Sequence, residues 1–546
     1  MNALGVLRQT MASPDMRRVQ GGWLLAISAE WIYLVSLLVL AYGLGGVLAV
    51  GLVATVRMLP AALLGPMAAT ATDRWPRQRV LLAVHLGRAS LIALIGLGAM
   101  SGMPAVLIFA GVLLEGILAT LHRPTTASLC PGIARSPEEL VASNATMSLS
   151  EGFAVLVGPA IGGLLLASVG AQTGLIAGAI GFGLAGLAVV GVRPAQMGNI
   201  AVRPGGGRAQ LAELFSGFAT MRRDPHIGIV ILAIVWQPFV RGILTVLIVA
   251  VAVELLQIGD AGVGYLNSAL GAGGLVGAVI GLTMVVRRRL APVMLVSLGM
   301  WGLPITAMGL APYVVVAFGA MALIGVANAT LDVSAYTILQ RIVPNAVRGR
   351  VFGAMEGLIS LALGLGSLVA PLLVALAGLE GALIISGLIL PAVSLVSARL
   401  VIAAEARAVV PERELALLRG VPMFAPLPLT MIEQLASTLE PSRWPAGVAI
   451  VEQGDASDCY YIIGSGRAAV VHDGRQVAEL GVGEGFGEIA LMREVPRTAT
   501  VRAESELEVM RLGRAEFLAA ITGTSQSVEA AQAVVDSRMR ALGHDE

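Results

Sequence analysis

The sequence predicts an all-α membrane domain of twelve transmembrane helices in two six-helix halves, followed by a C-terminal cytoplasmic domain of strands with flanking helices. Three observations carry this. Mean hydropathy is +0.84 and only 13% of the 546 residues are charged, about half the share in soluble domains. Apolar segments long enough to cross a bilayer recur through the first four hundred residues. Beyond them lies FGEIALMREVPRTATV, Phe486 to Val501, in a stretch of soluble composition.

The predicted spans fall near residues 22–43, 46–72, 80–101, 104–129, 143–169, 171–192, 227–255, 261–286, 290–310, 312–338, 353–377 and 380–402. Arginines cluster in alternate loops (Arg74, Arg77 and Arg79; Arg123 and Arg135; Arg193 to Arg223; Arg287 to Arg289; Arg341 to Arg350), and the opposite loops carry none. Positive-inside then puts both termini in the cytoplasm, as expected of a plasma-membrane protein. The start, MNALGVLRQTMASPDMRR, lacks an apolar core with a cleavage site, so the first span is expected to stay as an anchor. A long basic loop, about Arg193 to His226, joins the halves, and its Arg208–Arg223 stretch reads as an amphipathic helix on the inner leaflet. The segment from Ser143 aligns loosely with that from Gly349, Pro159 matching Pro371, as a duplication of one six-helix half would give.

Charges inside spans are costly and point to function. Glu30, Arg57, Glu115 and Arg241 sit near the middle of spans one, two, four and seven. Glu30 and Glu115 are candidates for proton or cation-substrate binding, with Arg57 and Arg241 as partners; a static buried ion pair is the competing role. Arg88, His85, Glu151, Asp332 and Glu356 lie nearer the cytoplasmic ends, where structural pairing is expected.

The domain boundaries expected are 1–402 for the membrane domain, 403–423 for a helical linker and 424–546 for the soluble domain. Residues 1–402 hold 23 Arg against 14 acids and residues 403–546 hold 13 Arg against 21, so the two parts are expected to attract. Within the soluble part, Gly487 lets backbone approach a ligand, the amides of Ile489 and Ala490 suit an oxyanion, and Arg497 follows nine residues after Glu488. These residues resemble the phosphate-binding cassette of cyclic-nucleotide-binding domains, and the resemblance runs over about Phe424 to Ile521, including AGVAIVEQGDASDCYYIIGSGRAAVVHDG. It implies a β-roll with flanking helices in which Glu488 accepts from the ribose 2′-hydroxyl and Arg497 pairs with the cyclic phosphate. Amides of Gly487, Ile489, Ala490 and Thr498 or Ala499 would complete the cradle. The ligand implied is cAMP, with cGMP possible because of Thr498. The closing helix, with Val534, Val535 and Met539 on an apolar face, reads as a lid.

The membrane part resembles the major facilitator superfamily. Gly65 to Val80, with DRWPRQRV, is similar to its second-to-third-span loop motif, although Ala69 and Pro76 stand where that motif has other residues. GPAIGG, Gly158 to Gly163, is similar to the fifth-span motif of its exporters, and ASLCPGIARSPEELVASN to its multidrug and siderophore exporters. The resemblance implies a gate motif in which Asp73, Arg74 and Arg77 latch the inner face by charge pairs, and a hinge or packing point at Gly158 and Pro159.

Several classes are excluded. The 36 basic residues are all arginine, so no Walker lysine exists for a P-loop ATPase. Two cysteines, Cys130 and Cys459, give no disulfide framework, and no enzyme, metal or nucleic-acid motif is present. The expected function is a secondary active transporter, a proton-driven exporter of a drug-like, siderophore-like or lipophilic small molecule, regulated by cyclic nucleotide. The alternatives are a lipid or lysolipid flippase under the same control and a non-transporting cyclic-nucleotide receptor.

Overall fold

The structure, a computed structural model, describes residues 13–73, 75–134, 137–192, 216–284, 289–408, 412–522 and 525–541. The chain divides into one unit of Met1–Ala408 and a second of Val409–Glu546.

Among the described residues of the first unit, nine helices are long and apolar enough to cross a membrane. They are α1 (Pro14–Asp73), α2 (Arg77–Met100), α3 (Ala105–Leu129), α4 (Pro137–Val189), α5 (Pro225–Ala250), α6 (Ala261–Met284), α7 (Ala291–Leu310), α8 (Val314–Ile342) and α9 (Asn345–Ala408). Three of them run to 60, 53 and 64 residues, whereas about 20 residues suffice for the hydrocarbon core. Each is broken once by glycine: at Gly45–Gly46 in α1, Gly170 in α4 and Gly378 in α9. Gly46, Gly170 and Gly378 have φ of 59°, 80° and 71°, a region closed to most side chains, so the chain can reverse there without leaving its helical run. The breaks fall between predicted spans one and two, five and six, and eleven and twelve.

Small residues set how closely the helices approach. A Cβ added to Gly264 would lie 2.3 Å from the Pro159 carbonyl and 2.6 Å from the Gly163 Cα, so α4 and α6 meet backbone to backbone. Pro159 itself lies inside α4, whose non-helical break is at Gly170. At the end of α5 the helix widens to a π-helical turn, Val251–Leu255, and the Tyr42 hydroxyl of α1 donates to Glu254 on that turn. The end of α9 is fixed to the start of α7: buried Glu405 accepts from the backbone amides of Leu290 (2.5 Å) and Ala291 (2.9 Å), satisfying two donors that the helix start leaves open. Of the amphipathic stretch expected over 208–223 in the central loop, residues 208–215 lie outside the described residues and 216–223 are helical.

The second unit opens with α10 (Glu412–Gly420) and α11 (Leu429–Ala436). Eight strands follow: β1 (Glu440–Trp444), β2 (Ala449–Val451), β3 (Cys459–Ser465), β4 (Ala468–His472), β5 (Arg475–Leu480), β6 (Gly485–Phe486), β7 (Thr500–Ala503) and β8 (Leu507–Gly513). They form two antiparallel four-stranded sheets of order β1-β8-β3-β6 and β2-β7-β4-β5. Strand β3 shows why two layers form, since successive side chains point to opposite faces. Tyr461 and Ile463 join Phe486, Val501 and Val509 between the sheets. Tyr460 and Ile462 face the other way, where Phe424, Leu435, Phe517 and Ala531 of the flanking helices cover them. The short α12 (Glu488–Met492) interrupts the strands after β6, and α13 (Arg514–Thr522) and α14 (Ser525–Ala541) close the unit.

Candidate functional site

The loop leaving β6 is aimed by one residue. Gly487 has φ 99°, and a Cβ on it would lie 2.4 Å from Arg497 Nη1 and 3.1 Å from the Cys459 carbonyl. Only glycine fits both the backbone and the space. Arg497 is anchored at the other side by its own backbone, its amide donating to the Asp455 carbonyl (2.9 Å) and its carbonyl accepting from Gly454 (2.9 Å).

A cavity of about 110 Å³ lies between these segments. Glu488, Arg497 and Thr498 line it with polar side chains and Val470, Leu480 and Ile489 with apolar ones, with Gly487, Ala490 and Ala499 also on its wall. All seven cassette residues expected from the sequence therefore share one cavity.

The electrostatics of the cavity are asymmetric. Arg497 is 4% exposed; Nη2 donates to the Cys459 carbonyl (2.7 Å), Nη1 to the Gly487 carbonyl (3.2 Å), and the guanidinium lies 5.7 Å above the Tyr461 ring. Among the described residues it has no carboxylate partner, and its Nε has no acceptor. Glu488 is 1% exposed. Its Oε1 accepts from Arg538 Nη1 (2.8 Å), and its Oε2 is buried with no donor among the described residues. Buried polar atoms are almost always paired, so a cation lacking an anion and a carboxylate oxygen lacking a donor, facing one cavity, define what a ligand has to bring: an anionic group and a hydroxyl or amine.

Arg538 is a site residue that the sequence reading missed. It comes from α14, half-buried, and also donates to the Gly485 carbonyl (2.7 Å). Burial works against its charge, but Glu488 beside it outweighs this and holds the guanidinium above its usual range. Burial, reinforced by the Glu488 charge, also pushes up the Tyr460 phenol. The one cue in the sequence was that Arg538 sits in the apolar-faced helix read as a lid. Of that face, Val535 is 2% exposed and Val534 packs on the flanking-helix core.

In the membrane unit a second group of charges is buried. Arg57 Nη2 lies 2.6 Å from Glu30 Oε1 and Arg57 Nε 3.5 Å from Glu115 Oε2. Arg88 Nη2 lies 2.6 Å from Glu115 Oε1 and 3.7 Å from Glu30 Oε1. The Tyr33 hydroxyl donates to Glu115 Oε2 (3.2 Å). Two acids and two guanidiniums thus balance, with Arg88 and Glu115 at 0% exposure and the Glu30 side chain at 29%. The structure brings Glu30, Arg57 and Glu115 together and adds Arg88, while Arg241 lies elsewhere, in electrostatic reach of Asp332. Beside this network the rings of His85 and His122 meet edge to face at 5.0 Å, and Trp23 lies 5.0 Å from His122.

Of the expected gate motif, Arg77 Nη1 donates to the Ser128 carbonyl (2.8 Å). Arg74 lies outside the described residues, as does the side chain of Asp73. Gly158 packs on α1, where an added Cβ would lie 2.7 Å from the Trp31 Cβ.

Residues 22–291 match the family model of the Major Facilitator Superfamily, and residues 441–523 match that of the Cyclic nucleotide-binding domain. The chain is 36% identical over 104 residues to a cAMP-dependent protein kinase regulatory subunit of Emericella nidulans, covering 19% of this chain and 25% of that one. It is 37% identical over 102 residues to the corresponding subunit of Yarrowia lipolytica, covering 18% and 27%. The chain thus spans about a quarter of the length of these relatives. Among solved structures it is similar to cAMP-bound PfPKA-R (141–441), with TM-score 0.23, 21% identity and coverage of 26% and 53%. It is also similar to the regulatory domain of Toxoplasma gondii PKA with cAMP, with TM-score 0.22, 26% identity and coverage of 26% and 55%.

Proposed function

We propose that this chain, in which a Major Facilitator Superfamily segment precedes a cyclic nucleotide-binding domain, is a secondary active transporter regulated by cyclic nucleotide. It is a multi-pass membrane protein. Counting each glycine-broken helix as two spans gives twelve, with both termini in the cytoplasm of a plasma membrane, consistent with the alternation of arginine-rich loops. Its transport is proton-driven export of a drug-like, siderophore-like or lipophilic molecule.

The regulatory ligand is cAMP, and one observation carries this: the buried Arg497 guanidinium without an anion and the buried Glu488 Oε2 without a donor face one cavity. The cyclic phosphate takes Arg497, the ribose hydroxyl takes Glu488, and the base lies against Val470 and Leu480. Thr498 offers a hydroxyl that cGMP could also use. Because the N-terminal part of the sequence is basic and the C-terminal part acidic, the unliganded domain restrains transport and nucleotide relieves it.

Titration calorimetry of the full chain in lipid nanodiscs tests the ligand. One cAMP should bind per chain; no heat with cAMP or cGMP at millimolar concentration would refute the regulatory half of the proposal.

A further inference from the structure

Arg241 on α5, Asp332 on α8 and Glu356 on α9 are exposed, although each lies within a helix that crosses the membrane. A charge facing lipid is costly. Asp332 is instead in electrostatic reach of both Arg241 and Glu356, which links three helices, and Arg241 is also in reach of Arg123 from α3. Their exposure is therefore to a watery crevice inside the bundle.

The groups in that crevice are held but not neutralised. Asn328 Nδ2 donates to Asp332 Oδ2 (3.0 Å), while Gln237 Nε2 (3.1 Å) and Trp301 Nε1 (3.3 Å) both donate to Asn328 Oδ1. Two donors on its oxygen fix the Asn328 amide so that its nitrogen faces Asp332. The Tyr336 hydroxyl donates to Glu356 Oε1 (2.7 Å). Each carboxylate thus has a neutral donor that orients it and leaves its charge and remaining lone pairs free. Arg241 makes no side-chain hydrogen bond or ion pair among the described residues, and Arg123 is already paired with Glu151 at 2.6 Å.

We infer that this crevice binds a zwitterion, whose anionic end meets Arg241 and whose cationic end meets Asp332 and Glu356. A simple cation would be repelled by Arg241, and a simple anion by two carboxylates. Only a ligand carrying both charges, apart, gains from all three groups and loses to none. The inference names the substrate class of the transport reading and rests on that reading.

Calorimetry on the full chain in nanodiscs, with empty nanodiscs subtracted, decides it. The probes are hexylphosphocholine, hexyltrimethylammonium and hexyl phosphate, which share one tail and differ in charge. Hexylphosphocholine should bind at least tenfold more tightly than either of the others. Arg241→Gln should make hexyltrimethylammonium the tightest, Asp332→Asn with Glu356→Gln should favour hexyl phosphate, and Arg241→Lys, which keeps the charge and guards against misfolding, should preserve the wild-type order. Equal binding of zwitterion and cation or anion, no binding of any probe, or an unchanged order in Arg241→Gln would overturn the inference. Flux of hexylphosphocholine in proteoliposomes is measured separately: selective binding without flux would count against transport and leave the zwitterion site standing, whereas flux of other solutes without the selectivity would do the reverse.

Discussion

Arg497 and Glu488 are each incompletely satisfied in a buried cavity, and this makes them the residues most sensitive to substitution. Removing either charge-assisted contact should weaken cAMP binding by about 1.5–3 kcal/mol, roughly ten- to a hundredfold, measured by calorimetry on Arg497→Ala and Glu488→Ala. Loss of less than threefold in both would mean the nucleotide is held elsewhere. In the membrane, burial separates two acids that looked equivalent in sequence. Glu115 is fully enclosed by Arg57, Arg88 and Tyr33, so Glu115→Gln should destabilise the membrane unit by about 3–5 kcal/mol because it leaves buried guanidinium charge uncompensated; thermal unfolding in nanodiscs measures this. Under the proposed proton coupling, Glu30, 29% exposed, is the acid assigned to carry the proton: Glu30→Gln should abolish gradient-driven transport while solute exchange persists, and an unchanged pH dependence would remove it from the coupling step. The cassette was legible in the sequence because Gly487, Glu488 and Arg497 fall within eleven residues and the chemistry needs that spacing. Arg538 was not, since it reaches Glu488 from fifty residues away and nothing local marks it. Arg88 was missed as a partner of Glu30 and Glu115 for the same reason: which helix face a charge shares is decided by packing, not by depth along the span.

At the scale of elements, glycine decides both where helices turn and how near they come. The hydropathy pattern placed span boundaries at 43–46, 169–171 and 377–380, and the non-helical glycines lie within those intervals, so the breaks were legible though the continuity of the flanking helices was not. The α4–α6 contact through Gly163 and Gly264 was half legible, since GPAIGG signalled close packing but not the partner helix. Gly264→Val should force α4 and α6 apart, because even a Cβ would lie 2.3 Å from the Pro159 carbonyl; the expected outcome is a large loss of folded protein by size-exclusion chromatography, and wild-type yield would show that the contact is not rigid. In the second unit, α10 is tied to β8 through Arg413 and Glu508. That hydrogen bond holds the Glu508 carboxyl below its usual range, so its contribution is complete above the normal carboxylate pKa and fades as pH falls through the lower, folded value. Arg413→Ala should therefore lower the unfolding midpoint of the nucleotide-binding unit slightly at neutral pH, and the difference should shrink on acidification. A difference that grows at low pH would contradict this assignment.

For the whole molecule, a ligand can alter transport only by binding one conformation of the chain more tightly than another. The features needed for that are the unsatisfied cavity at Arg497, a membrane bundle that carries charged groups on its helices, and a short connection in sequence between them, since α9 runs to Ala408 and α10 begins at Glu412. The cAMP ligand and its effect on the membrane helices form the central claim, and hydrogen–deuterium exchange on the full chain in nanodiscs tests it without requiring the transported solute. Saturating cAMP should change exchange in the helices of residues 13–408 as well as around the cassette, and Arg497→Ala at the same cAMP concentration should show neither change. Exchange altered only within residues 441–523, in a preparation shown by calorimetry to bind cAMP, would contradict the account.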